Sequence, residues 1–296
     1  MRPRLRWLAI AGAALLLAGV GCCLWIGAEL VAARPRHVGT VPPGFSTVQV
    51  PTDAGPVHGW WMVPANAHGN VLLLHGVRAD RRAMLGRARL LANHGYAVLL
   101  IDLPGHGETA GGPITLGWRE ADAVSAALAW LHAQRPGDRV GVIGASMGGA
   151  AVLLRRPTAG FDAVVLEAVY PDARSALDNR LRMRLGQPGI WLAPLLAVQF
   201  QPRTGLSLDA LRPVDHIADL HAPVMVVGGQ ADLHTTVGQT RQLYAHALPP
   251  KSLWLVPNAA HVDLYRHSPD DYAAKILPFL DGALRKDEDI RTPAAG

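Results

Sequence analysis

Three residues in three separate segments have the types and settings that nucleophilic catalysis requires: Ser146, Asp232 and His261. Ser146 sits in Gly144-Ala-Ser-Met-Gly148, a G-x-S-x-G run. An apolar strand-like stretch precedes it and the helix-compatible residues 149–154 follow. That context predicts a nucleophile elbow, a sharp strand-to-helix turn that holds a serine hydroxyl clear of a sheet. Such a turn needs small residues at its edges, which the glycines supply. A serine hydroxyl is a weak nucleophile until a base takes its proton, so a histidine and a carboxylate are needed.

The acid and the base are sought just past strand ends. Residues 222–227 read as a strand, followed by Gly228-Gly-Gln-Ala-Asp232. A carboxylate there can orient an imidazole and stabilise its cation; Glu167 and Asp172, after the preceding strand, are the rivals. The last strand, 252–256, leads into Pro257-Asn-Ala-Ala-His261. His261 is the expected general base, then acid, with His267 and His234 as weaker candidates. Asp263 reads as a surface or loop residue. The strand at 70–74 leads into His75-Gly76-Val77-Arg78, and the backbone N–H groups of Val77 and Met147 are the expected oxyanion hole. His75 itself reads as a structural loop histidine rather than a base.

The elements that must position these residues follow a regular rhythm. Residues 47–50 and 57–63 suggest an antiparallel pair around a Thr52-Asp-Ala-Gly turn. Short apolar strands then alternate with helical stretches at 81–94, 118–132, 238–248 and 270–284. This predicts an α/β fold with a mostly parallel sheet of eight strands, helices on both faces, and ligands beyond the carboxyl ends of the strands. From Tyr170 to about Pro213 the rhythm breaks into helical segments, which reads as a cap over the site.

The N-terminus has a different character. Arg2, Arg4 and Arg6 precede an uncharged apolar run from Trp7 to Ala28. As a helix this run is about 33 Å long, enough for a hydrocarbon core of about 30 Å. Residues 1–34 are therefore read as a retained single-pass anchor with the domain outside the cytoplasm; a signal cleaved after Val31-Ala-Ala33, giving a secreted protein, is the alternative. Residues 35–45 read as a linker, 46–285 as one domain, and 286–296 as a flexible tail.

Of the 296 residues 50% are hydrophobic, enough for one large core, and the net charge is +5. Nearly all the positive charge is arginine; no nucleic-acid motif accompanies it, so no nucleic-acid partner is expected. Cys22 and Cys23 are the only cysteines. Both lie in the N-terminal run, which excludes a disulfide framework or a cysteine metal site in the domain.

The order Ser146, Asp232, His261 is that of the α/β-hydrolases. Over residues 45–285 the chain resembles that superfamily, with matches at His75-Gly76, Asp102-Leu-Pro-Gly-His-Gly107, Gly144-Ala-Ser-Met-Gly148, Gly229-Gln-Ala-Asp232 and Ala260-His261. It looks most like the bacterial serine aminopeptidase-like or lysophospholipase-like branch. It departs from the family pattern at Glu108-Thr109, where relatives commonly have a small residue and a serine, and at His234-Thr-Thr236, where a proline often stands. The resemblance implies the catalytic roles given above, an acyl-enzyme mechanism, no metal and no organic cofactor. The expected substrate is a small acyl compound, lipid-like in the leading reading. The cap carries Arg174, Arg180, Arg182, Arg184, Arg203 and Arg212 against Asp172, Asp178 and Asp209, which suits a substrate ammonium group poorly. Residues 190–200 are apolar enough to line an acyl pocket, touch a bilayer or form the core of the cap. A peptidase or amidase of the same fold and a non-catalytic binding protein are the competing readings.

Overall fold

The computed structural model describes residues 3–158 and 160–285, so the tail expected at 286–296 lies outside the described residues. The domain is built on eight strands: β1 (Ser46–Val50), β2 (Val57–Met62), β3 (Asn70–Leu74), β4 (Ala97–Ile101), β5 (Val140–Ala145), β6 (Ala163–Glu167), β7 (Val224–Gly229) and β8 (Lys251–Val256). Their order across the sheet is β8-β7-β6-β5-β3-β4-β2-β1. The pairs β1–β2 and β2–β4 are antiparallel and all others are parallel. This is the α/β-hydrolase fold.

Strands β3, β4 and β6 are buried at every residue, as expected where helices cover both faces. Side chains of successive residues point to opposite faces and split into two cores. Leu72, Leu74, Leu99 and Ile101 face one core, closed by α3 (Glu120–Gln134) and α4 (Met147–Leu154). Val71, Leu73, Val98 and Leu100 face the other, closed by α2 (Leu85–Asn93) and, at the chain's end, α10 (Pro269–Leu284). The continuous apolar runs at these strands are thus the signature of a sheet with no solvated face.

The helix expected from Arg81 starts as a 3₁₀ turn, Arg81–Met84, and becomes α-helical only at Leu85. Asp80 caps this turn, accepting from the Arg82 N–H at 3.1 Å. Strand β7 runs two residues further than its apolar pattern suggested and takes in Gly228 and Gly229.

Between β6 and β7 lie α5 (Ala173–Leu185), α6 (Ala193–Ala197), α7 (Phe200–Thr204) and short 3₁₀ turns. In the segment 190–200, Ala193, Leu196 and Phe200 are buried whereas Trp191, Leu195 and Val198 are exposed. The stretch therefore serves partly as cap core and partly as an apolar surface.

The N-terminal helix α1 (Pro3–Val31) contains 26 residues, Arg6–Val31, of mean hydropathy 2.2, long and apolar enough to cross a membrane. Most of its described residues up to Cys22 are exposed. Its last turns pack against α6 and α7 and against the loops after β3 and β4, and its carbonyls are satisfied by cations and an amide from these segments. Arg203 donates to Leu24 O at 2.9 Å, Arg78 to Glu29 O at 2.8 Å, and the Ile114 N–H to Val31 O at 2.8 Å. Guanidinium groups near a helix C-terminus also complement its dipole. The following residues are tied down as well. Arg34–Pro35 pairs in parallel with His106–Gly107, and Glu108 binds His37 and the Val38 N–H.

Candidate active site

Ser146 stands between the end of β5 and the start of α4, with φ 49° and ψ −113°. A non-glycine residue in this region costs about 1–3 kcal/mol and persists only where its surroundings fix it. Those surroundings are visible. The Ser146 N–H donates to Glu167 O at 2.7 Å, and the Ser146 carbonyl accepts from the Ala150 N–H at 3.0 Å. The flanking glycines are steric requirements. A Cβ on Gly144 would lie 2.6 Å from Gly149 Cα, and one on Gly148 would lie 2.6 Å from Leu74 O. The motif therefore lets α4 press against β3 and β5 while the serine side chain projects from the turn.

Asp232 lies in the loop after β7 and its carboxylate is buried. One oxygen, Oδ1, accepts from the His234 N–H at 2.7 Å and the Thr235 N–H at 2.9 Å. The other, Oδ2, is 2.8 Å from His261 Nδ1. With Oδ1 occupied by two backbone donors, Oδ2 is presented to the imidazole, which fixes Nδ1–H as donor and leaves Nε2 free to accept a proton. The two loops are stitched together: the Gln230 N–H donates to Val256 O at 2.9 Å and the Ala231 N–H to Ala259 O at 2.8 Å. His261 and Ser146 line one cavity of about 330 Å³. The Ser146 hydroxyl and His261 make no hydrogen bond here; such contacts commonly tighten only when substrate is bound.

The loop after β3 passes beside the serine: a Cβ on Gly76 would lie 3.5 Å from Ser146 Cβ. The Val77 N–H donates to no group among the described residues. Met147 is the first residue of α4, so its N–H has no partner one turn back in the helix. Both expected donors are thus available beside the serine.

The remaining candidates separate clearly. Glu167 is a buried ion-pair partner of Arg87, at 3.1 and 2.6 Å, and accepts from the Tyr272 hydroxyl. Burial opposes the charge on Arg87, but Glu167, Tyr272 and Asp263 together hold its pKa above the ordinary value. Asp172 caps α5, accepting from the Ser175 N–H at 2.7 Å. Asp263 is the loop residue the sequence suggested, and the structure adds its contacts. It pairs with Arg87 at 2.6 Å, caps the short helix α9 (Leu264–His267), and lines the cavity. His267 contacts Pro257 O outside the cavity.

His234 packs its ring against His261, with centroids 4.9 Å apart. Burial, and then the neighbouring His261, lower its pKa. It lines the cavity, whereas Asp232 points its carboxylate at His261. His75 is fully buried. Its Nδ1–H donates to Gly76 O at 2.8 Å, its Nε2 accepts from the Leu103 N–H at 3.0 Å, and burial lowers its pKa to about 3. It is a neutral brace for the loop after β3.

Glu108, where the sequence departs from the family pattern, closes a second buried network. Asp102 accepts from the Arg81 backbone N–H at 2.7 Å and from its guanidinium at 2.5 Å, and Arg81 also binds Glu108. This network supports the loop after β4 and reaches the chain that leaves α1.

A sequence model of the alpha/beta hydrolase family matches residues 71–275. The chain belongs to that family. The uncharacterized protein Rv2307c of Mycobacterium tuberculosis is 31% identical over 86% of this chain and 87% of its own length. ABHD14B of Pongo abelii is 25% identical over 73% of this chain and 85% of its own length. Among solved structures, the Pyrococcus furiosus esterase Pf2001 superposes with a TM-score of 0.69 at 24% identity, covering 86% of this chain and 98% of that one.

Proposed function

We propose that this member of the family is a membrane-tethered serine hydrolase that cleaves an ester bond in a hydrophobic, lipid-like acyl substrate. The observation that carries the reading is the Asp232–His261 pair at 2.8 Å, facing the cavity that holds Ser146 at a positive φ. In the first half-reaction His261 Nε2 takes the hydroxyl proton as Ser146 Oγ bonds to the substrate carbonyl carbon. The Val77 and Met147 N–H groups receive the oxyanion. Collapse breaks the carbon–oxygen bond to the alcohol, which leaves with the proton from His261. Water then attacks the acyl-enzyme, gives its proton to His261, and the acid departs as that proton returns to Ser146. Asp232 holds the imidazole through both halves.

The membrane assignment rests on α1, exposed along most of its length, and on the exposed Trp191, Leu195 and Val198 of the adjoining cap. The arginines at the start of the chain favour a cytoplasmic N-terminus and an extracytoplasmic domain. Cleavage after α1 and secretion is the alternative.

An amidase reading has one specific support: the relative ABHD14B carries the name of a candidate protein-lysine deacylase. Two assays of the full-length protein in detergent separate these possibilities. Labelling by a fluorophosphonate, compared with Ser146→Ala and His261→Ala, tests the nucleophile. p-Nitrophenyl esters of increasing chain length, set against aminoacyl and acyl-lysyl amides, test the bond. Faster turnover of the amides would overturn the ester assignment.

A further inference from the structure

A second cavity, of about 320 Å³, lies between the last turns of α1 and the cap. Its walls are largely apolar, with Trp25, Ile26 and Leu30 from α1 facing Leu177, Leu196 and Phe200 of the cap. Val77 and Arg180 line both this cavity and the one that contains Ser146, so the two spaces meet at these residues.

The charge in this cavity is unbalanced. Arg78, Arg180 and Arg184 line it, against a single carboxylate, Glu29. That carboxylate is already paired with Arg34 at 2.5 Å. Arg78 spends a donor on Glu29 O. Most cap arginines are also occupied: Arg174 lies near Asp178 and Asp209, Arg182 binds Asn179 and Gln187, Arg203 binds α1, and Arg212 pairs with Asp215. Arg180 and Arg184 remain, with no hydrogen bond or ion pair among the described residues. Arg184 is exposed at the rim, whereas Arg180 is half-buried at the junction. Burial, the largest influence on it, works against its charge. Asp232, a nearby carboxylate, has both oxygens committed, and the Tyr170 hydroxyl donates to Leu116 O. A half-buried guanidinium that makes no ion pair keeps five donors suited to a carboxylate or phosphate.

We propose that Arg180 binds an anionic group, a carboxylate or phosphate, on an amphiphilic substrate whose hydrocarbon chain occupies the cavity between α1 and the cap. The anchor helix is then a wall of the substrate site and not only a tether. This inference deepens the hydrolase reading and rests on it for the reaction; the binding itself does not require turnover.

The test uses the full chain in phosphatidylcholine nanodiscs. Octyl phosphate, octanol and inorganic phosphate are compared as inhibitors of p-nitrophenyl acetate hydrolysis and as stabilisers in thermal melts. The expected result is that octyl phosphate inhibits at least about tenfold more strongly than either octanol or inorganic phosphate. In Arg180→Gln the advantage over octanol should fall towards one, and Arg180→Lys should restore part of it. Ligand-free Arg180→Met should melt above the parent, because it removes an uncompensated cation. Equal inhibition by octyl phosphate and octanol in the parent, an undiminished ratio in Arg180→Gln, or a lower melting temperature for Arg180→Met would each overturn the proposal. Inorganic phosphate as effective as octyl phosphate would overturn its amphiphile component. A protein that octyl phosphate stabilises but that hydrolyses no ester would refute the hydrolase reading and support the anion site.

Discussion

Replacing Asp232 by asparagine should lower turnover about 10⁴-fold, or about 5.5 kcal/mol of transition-state stabilisation, with little loss of fold. The size follows from how the carboxylate is held. Two backbone N–H groups, of His234 and Thr235, point at Oδ1. An asparagine would place its carbonyl oxygen on those donors, leaving its NH₂ facing His261 Nδ1. That nitrogen must then accept, so the ring proton moves to Nε2 and the imidazole can no longer take a proton from Ser146. The informative control is Glu167→Gln. Glu167 is buried against Arg87 and Tyr272, and among the described residues its side chain makes no hydrogen bond or ion pair with His261. Breaking a buried pair costs about 3–5 kcal/mol, softened here because Arg87 keeps Asp263. Glu167→Gln should therefore melt at a lower temperature yet retain turnover per folded molecule within a few fold. The assay is p-nitrophenyl ester hydrolysis normalised to fluorophosphonate-titrated sites, beside thermal melts. A large loss of turnover in Glu167→Gln with near-parental turnover in Asp232→Asn would refute the assignment of the acid.

Gly148→Ala should destabilise the domain by about 2 kcal/mol or more and abolish activity in what remains folded, because the added Cβ meets the fixed Leu74 carbonyl at 2.6 Å; thermal melts and ester turnover measure both effects. Buried His75 titrates at about 3, below its ordinary value of 6.5. The unfolded chain therefore binds the extra proton first, and stability present above pH 6.5 is lost as pH falls towards 3, by up to about 1.4 kcal/mol per pH unit. His106, also lowered by burial, adds in the same direction. Melting temperature against pH should show this slope, and His75→Gln should flatten it. If α1 is a retained anchor, full-length protein in its host should stay with membranes through alkaline carbonate extraction; release as a shorter soluble species would establish cleavage instead.

The triad candidates were readable in the sequence because each follows a short apolar strand, and strand ends in a parallel sheet share one edge. What was not readable depends on contacts between distant segments. Arg87 joins Glu167 and Asp263, positions 80 and 176 residues away, and no local pattern marks such a pairing. Asp263 is the loop residue its sequence suggested, but its pairing with Arg87 could not be read there. Glu108 looked like a deviation in a loop motif until the structure placed it against Arg81, His37 and Val38. The apolar run of α1 has the same composition whether lipid or protein covers it. Its docking on the cap, and the cavity this creates, emerge only from the fold. Arg180 was visible merely as one of several cap arginines; that it makes no hydrogen bond or ion pair among the described residues, at the junction of two cavities, became evident only in the structure.

The most direct test of the central claim is the site of fluorophosphonate attachment, found by mass spectrometry of the full-length protein. The account predicts one adduct, on Ser146, lost in Ser146→Ala together with ester hydrolysis and strongly slowed in His261→Ala. Labelling of Ser146→Ala at the parental rate, or ester hydrolysis that survives that substitution, would contradict it.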